Sequence, residues 1–284
     1  MNVIYTSSDR KSYPLTVDMS MRLKTANFHS FAWKPEATSR RYGERVNLWG
    51  KEAAEYSASI VFRGTHAQRR AMLDEFHSSI ERDVFYNSPG RLTWGGWYID
   101  CFVSSSETYP SENDLTSTIN DLEIYCPTSF WVSEQDYSIA PISSHALRPT
   151  DKQYNLQYGY TYSYQVAQNT SRQIFINHYA PCDFRVVMYG SQDNLNVTIG
   201  NVHLLVNHAI PETGYMVVDT RQDIPADKHC YLVAGGAETN CFNYRNPTTT
   251  LLEKVEPGRV KVTYNRRSRL DLTIYRERSE PAWI

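Results

Sequence analysis

The stretch Phe184–Thr220, FRVVMYGSQDNLNVTIGNVHLLVNHAIPETGYMVVDT, decides the fold. Phe184–Tyr189, Asn196–Ile199, Val202–Val206 and Tyr215–Thr220 are short runs rich in β-branched and aromatic residues. Gly190-Ser-Gln-Asp and Pro211-Glu-Thr-Gly punctuate them. Strands of this length, with turn signals every 8–12 residues or so and no helical period, predict a β-sandwich. The pattern continues on both sides. Tyr154–Val166, Arg172–Asn177, Tyr231–Val233, Glu253–Val255, Arg259–Tyr264 and Leu270–Tyr275 read as strands, with Tyr179-Ala-Pro, Gly235-Gly236 and Pro257-Gly258 as turns. Residues 151–278 are therefore expected to form one all-β domain.

Towards the N-terminus, the stretch 127–150 holds Pro127, Pro141 and Pro149 among polar residues and reads as a linker. Before it lies a second β region, 1–126, with one helix predicted over about 66–82. Thr65 is a candidate N-cap, and Met72, Phe76 and Ile80 recur at helical spacing beside Leu73. Arg91–Trp94 and Trp97–Val103 flank Gly95-Gly96, a strong hairpin signal because both glycines accept positive φ. Residues 24–56 differ in character. They mix Pro35, Gly43 and Gly50 with Lys34, Arg40, Arg41, Arg45 and Lys51 and with Phe28, Phe31, Trp33 and Trp49. Alone, such a segment cannot bury its aromatic side chains, so it reads as an extended arm that covers something else.

Composition narrows function by exclusion. The chain has 284 residues, 41% of them apolar and 21% charged, with 29 Lys+Arg against 31 Asp+Glu. That balance gives no global attraction to nucleic acid or anionic membrane. No apolar run approaches the roughly 20 residues of a spanning helix, and Asp9, Arg10 and Lys11 interrupt the place of a leader's apolar core. The five cysteines are scattered without a CxxC pair, a pattern expected of reduced thiols. No P-loop, dinucleotide fingerprint, HExxH or GxSxG motif occurs, and His203 and His208, five apart on strand-like sequence, would face opposite ways. No enzyme activity, cofactor or metal site is expected.

Tyrosine is the compositional outlier, with 21 copies. Tyr158, Tyr160, Tyr162 and Tyr164 alternate with Gly159, Thr161, Ser163 and Gln165, which on a strand puts four rings on one face. Two uses compete: a platform stacking on sugar rings, or a sheet face packed on a core or domain interface. Packing is favoured, since no Asp, Asn and Trp cluster accompanies the stripe. Seven bases between Arg259 and Arg278 face only Asp271 and Glu277; turn solubility and edge protection account for them better than nucleic-acid contact.

Several local patterns occur in a telling order. Arg69–Arg82 leads into Asp83-Val84, followed by Gly90-Arg-Leu-Thr-Trp-Gly-Gly-Trp-Tyr98 and Ser129-Phe-Trp131. Later come Gly214-Tyr-Met-Val-Val-Asp-Thr-Arg221, Glu256-Pro-Gly258 and Tyr275-Arg-Glu-Arg-Ser-Glu-Pro-Ala-Trp283. Over most of its length the chain resembles the distal tail protein (Dit) family of tailed bacteriophages. The resemblance implies a virion structural protein, made in the host cytoplasm and placed at the tail tip. It implies an N-terminal β domain closing a hexameric ring with the help of an arm, and a galectin-like C-terminal sandwich. The implied partners are further copies of the chain, the tail tube protein, a tail-associated lysin-like tip protein, and a receptor-binding or tape-measure protein. Membrane and specific nucleic acid are not among them. Phe31, Trp33, Arg40, Arg41 and Trp49 become ring and arm interface candidates, and Trp283, in the tail 279–284, a candidate for docking back onto the N-terminal domain. The competing function is a carbohydrate-binding adhesin using the tyrosine stripe.

Overall fold

A computed structural model of the chain describes residues 2–16, 20–111, 116–140, 169–265 and 268–283. These residues form a mainly β protein with one α-helix, as the strand and turn spacing predicts. The chain divides into two compact units, Met1–Ser133 with Glu277–Ile284, and Glu134–Arg276.

The first unit contains β1 (Val3–Thr6), β2 (Ser12–Pro14), β3 (Met21–Ala26), β4 (Lys34–Ser39), β5 (Glu44–Gly50), β6 (Ala54–Arg63), α1 (His66–Phe85), β7 (Gly90–Trp94), β8 (Trp97–Pro110) and β9 (Ser117–Cys126). All its strand pairs are antiparallel. Residues 90–101 turn back at Gly95-Gly96, whose φ values of +54° and +87° suit the tight turn that sets Trp94 opposite Trp97. The long β8 serves two sheets. Its first residues pair with β7, and from Phe102 onward it pairs with β9, with a bulge between Val103 and Ser105. The chain of pairings then runs β9–β6–β3. Alternate residues point inward, so Tyr56, Ala58, Ile60 and Phe62 of β6 join Leu92, Ile99, Leu122 and Ile124 in one core.

Helix α1 closes that core. At its start Gln68 N–H donates to Thr65 Oγ1 (3.3 Å) while Thr65 N–H donates to Gln68 Oε1 (2.9 Å), a reciprocal capping box. Phe76, Ser79, Ile80 and Asp83 form the buried stripe. The helix runs three residues past the expected end at 82, through Asp83-Val84-Phe85. Asp83 is tied down by distant partners, and the chain leaves the helix only at Asn87, in the left-handed region at φ +49°.

The second unit is a two-sheet sandwich. β10 (Trp131–Ile139), which enters it at Glu134, is followed by β11 (Asn169–Ile176), β12 (Asp183–Tyr189), β13 (Leu195–Ile199), β14 (Val202–Val206), β15 (Tyr215–Asp219), β16 (Cys230–Ala234), β17 (Ala237–Asn240), β18 (Gly258–Asn265) and β19 (Leu270–Arg278). One sheet has the order β11–β18–β13–β14; the strands β17–β16–β15–β12–β19–β10 are neighbours in the other. Val197, Leu204 and Val262 from the first meet Val186, Met216 and Leu272 from the second in a single core. Two details depart from the sequence expectation. The stretch 127–150, expected as a linker, carries β10, and Glu253–Val255 is no strand, contributing only the bridge of Val255 to Cys182. The expected strand Tyr154–Val166, and with it Tyr158, Tyr160, Tyr162 and Tyr164, lies outside the described residues.

Candidate assembly surface

Strands β4 and β5 pair only with each other, from Lys34 opposite Gly50 to Ser39 opposite Glu44. At the tip the Arg40 N–H donates to the Gly43 carbonyl at 2.9 Å, and Gly43 sits at φ +85°, which a side chain would disfavour. Every residue of both strands is exposed except the half-buried Gly50. An isolated two-stranded hairpin is marginal in water, so something must hold its base.

Lys51 does so. Its ammonium lies 4.5 Å from the Phe130 ring centre, 5.5 Å from Trp33 and 5.7 Å from Phe31, and donates to the Ser129 carbonyl at 2.7 Å. Burial among these rings lowers the Lys51 pKa. The Ser129 hydroxyl returns a hydrogen bond to the Glu52 carbonyl, and Lys34 pairs with Glu52. Trp33 also meets Phe130 at a tilt of 58°, with ring centres 5.9 Å apart.

The expected interface residues therefore occupy two zones of one arm. Phe31 and Trp33 stand at the base, 52% and 41% exposed, and Trp49 (55% exposed) shares an apolar cleft with Trp33. Arg40 and Arg41 stand at the tip beside the 85% exposed Tyr42, with the Arg41 guanidinium 5.4 Å from the Tyr42 ring centre. Val46 and Leu48 extend the exposed apolar surface between the two zones. Exposed apolar side chains at this density on one projecting hairpin mark a surface that a partner covers.

Trp283 lies elsewhere in the same unit. Its ring stacks on His29 at 3.8 Å and 12°, while Pro281 is buried and Ala282 packs against the unit's core. Glu280 approaches His29 to 4.0 Å, and the Arg278 guanidinium lies 5.4 Å from the Trp97 ring centre. Sequence placed Lys51 in the arm and Phe130 in the Ser129–Trp131 pattern but gave neither a part in anchoring the arm, and it did not mark His29, because each meets a residue distant in the chain. A further exposed group, Val84, Phe85 and Tyr86, ends α1.

Among the described residues no group of His, Cys, Asp or Glu is placed to hold a metal ion, and no helix is long and apolar enough to cross a membrane.

No protein-family model matches the chain, and no curated protein sequence matches it. Solved structures do. A chain of the phage P2 baseplate, in its activated conformation with calcium, covers 99% of both chains with a TM-score of 0.60 at 11% identity, and the strontium form gives the same values. The Dit protein of phage SPP1, described as a paradigm of the hub adsorption apparatus in phages infecting Gram-positive bacteria, covers 97% of this chain and 99% of its own. Its TM-score is 0.58 at 9% identity. The likeness is one of fold, and it extends over nearly the whole length of each chain.

Proposed function

We propose that this chain is a structural, non-enzymatic distal tail protein of the Dit type. It forms a closed ring, a hexamer, at the tail tip of a virion and joins the tail tube to the tip and host-recognition proteins. The observation that carries this is the full-length likeness of fold to baseplate and hub structures. The bare β4–β5 arm adds a physical reason for self-assembly, since a ring needs a projecting surface on each copy and a receiving one on the next. The stack of Trp283 on His29 is how the last residues of the chain return to the ring-forming unit. No described residue favours the carbohydrate-binding alternative.

Sedimentation velocity and native mass measurement of the purified protein test the proposal. The expected species has the mass of six chains of 32.8 kDa, and negative-stain images should show closed rings. A particle that stays monomeric at every concentration overturns it.

A further inference from the structure

Four of the five cysteines stand in two facing pairs, 25 and 11 positions apart in the chain, spacings that no sequence motif marks. Along the β8–β9 hairpin Phe102 lies opposite Tyr125, so the next residues outward, Cys101 and Cys126, face each other at its open end. Both are buried in the core of the first unit, where the Cys101 thiol meets Cys126 in a hydrogen bond. The β16–β17 hairpin repeats the arrangement. Tyr231 lies opposite Asn240, so Cys230 and Cys241 face each other at its open end, and the Cys241 N–H donates to the Cys230 carbonyl at 2.8 Å. These two are buried in the core of the second unit. Cys182, also in that core, lies outside both hairpins and is bridged to Val255.

Residues directly opposed in an antiparallel pair have Cα atoms about 4.5 or about 5.5 Å apart, depending on their place in the ladder. A disulfide spans roughly 4.4–6.8 Å between Cα atoms, so both pairs fall within its reach. Within each pair the two side chains enter the same core, which puts both sulfurs on one side of their hairpin.

The geometry points to two latent disulfides, Cys101–Cys126 and Cys230–Cys241, which close when a small-molecule disulfide accepts the electrons. One cysteine sulfur attacks the small disulfide, forming a mixed disulfide and releasing one small thiol. The facing cysteine sulfur then attacks the mixed disulfide, the bond across the hairpin forms, and the second small thiol leaves. Two protein thiols lose two electrons and two protons, and one small disulfide becomes two thiols. Burial shields both pairs in the closed fold, so the exchange proceeds through local opening. Strand β17 is exposed along its whole length and pairs only with β16, so Cys230–Cys241 closes first. Cys101 and Cys126 are flanked by further strands, β7 through Gly90 and β6 through Ala54, and close later. In the tail-tip role proposed above the chain folds in a reducing cytoplasm and works outside it, so the bonds close after folding. The pairing itself does not rest on that role.

The purified full chain, freed of reductant and incubated in its native state with oxidised glutathione, provides the test. Samples are denatured, alkylated with N-ethylmaleimide and weighed as intact chains, and digests are mapped for linked peptides. The number of alkylated thiols is expected to fall from five to three and then to one, Cys182. The linked peptides are expected to be Cys230–Cys241 first and Cys101–Cys126 second. The urea midpoint of the oxidised chain should rise and should return on reduction. Five alkylated thiols after an incubation that oxidises the denatured chain, linkages to Cys182, or glutathione adducts in place of linkages overturn the proposal. A count that stops at three overturns it for the pair that stays reduced.

Discussion

Asp83 shows how much one side chain organises. It is fully buried at the end of α1 and accepts from the Tyr5 hydroxyl at 2.6 Å, the Ser8 N–H at 2.9 Å and the Ser8 hydroxyl at 2.6 Å. Burial, and then this hydrogen bond, drive the Tyr5 pKa far above the ordinary tyrosine value. Gly90 completes the arrangement, because a Cβ there would lie 2.4 Å from the Tyr5 hydroxyl and 2.9 Å from Asp83 Oδ2. Gly90→Ala should therefore cost about 1–3 kcal/mol, the range of overpacked cores, as measured by urea unfolding. Helical spacing made Phe76 and Ile80 readable as core. It gave no sign of Asp83's role, since Tyr5 and Ser8 lie 78 and 75 residues away and follow no periodic pattern with it. Tyr56 yields a pH prediction. Burial pushes its pKa up to about 12, against a smaller opposing effect of the Trp131 N–H, 3.1 Å from its hydroxyl. The fold thus prefers the protonated phenol. That contribution is complete below the ordinary value of 10.0 and is lost as the pH rises from there through about 12. Stability should fall over this window, and less steeply in Tyr56→Phe, as followed by denaturant midpoints at each pH.

At the scale of elements, the arm was readable and its anchor was not. Aromatic and basic residues mixed with Pro35, Gly43 and Gly50 mark a segment with no core of its own. Nothing local marks Lys51 as the cation that gathers Phe31, Trp33 and Phe130 at the base, because Phe130 arrives only after β9. Strand β10 shows the reverse difficulty. Pro127 and Pro141 bracket a run in which Ser133, Glu134, Gln135, Asp136 and Ser138 dilute the apolar alternation, yet Trp131, Ser133 and Ile139 are buried. Pairing with neighbouring strands outweighs local composition there. Since Lys34 and Gly50 are already paired across the arm, a short Gly-Ser turn replacing residues 35–49 can close the chain without moving its base. The expected product keeps the wild-type unfolding free energy to within about 0.5 kcal/mol and forms no rings by sedimentation. Normal rings would show that the arm is not part of the assembly surface.

At the scale of the molecule, the all-β C-terminal half and the single helix were evident from turn spacing and one apolar stripe. The division into units was only partly so. The second unit begins within β10, and seven of the eight final residues, Glu277–Trp283, are described in the first unit. Periodicity reports which face of a strand is buried but not which core buries it. All five cysteines are buried thiols outside any disulfide. A hydrogen bond to Cys126, then burial, raise the Cys101 pKa well above the ordinary thiol value, and burial lifts Cys230 to about 12. Both effects withhold the thiolate that reacts. A chromogenic disulfide reagent should therefore titrate essentially no thiol in the native protein and five after denaturation.

The return of Glu277–Trp283 to the first unit also has a temporal meaning. A ribosome makes these residues after the whole second unit, so Trp283 reaches His29 only once everything between them has been synthesised. A nascent chain interrupted anywhere in the insert leaves the His29 ring without this stacking partner.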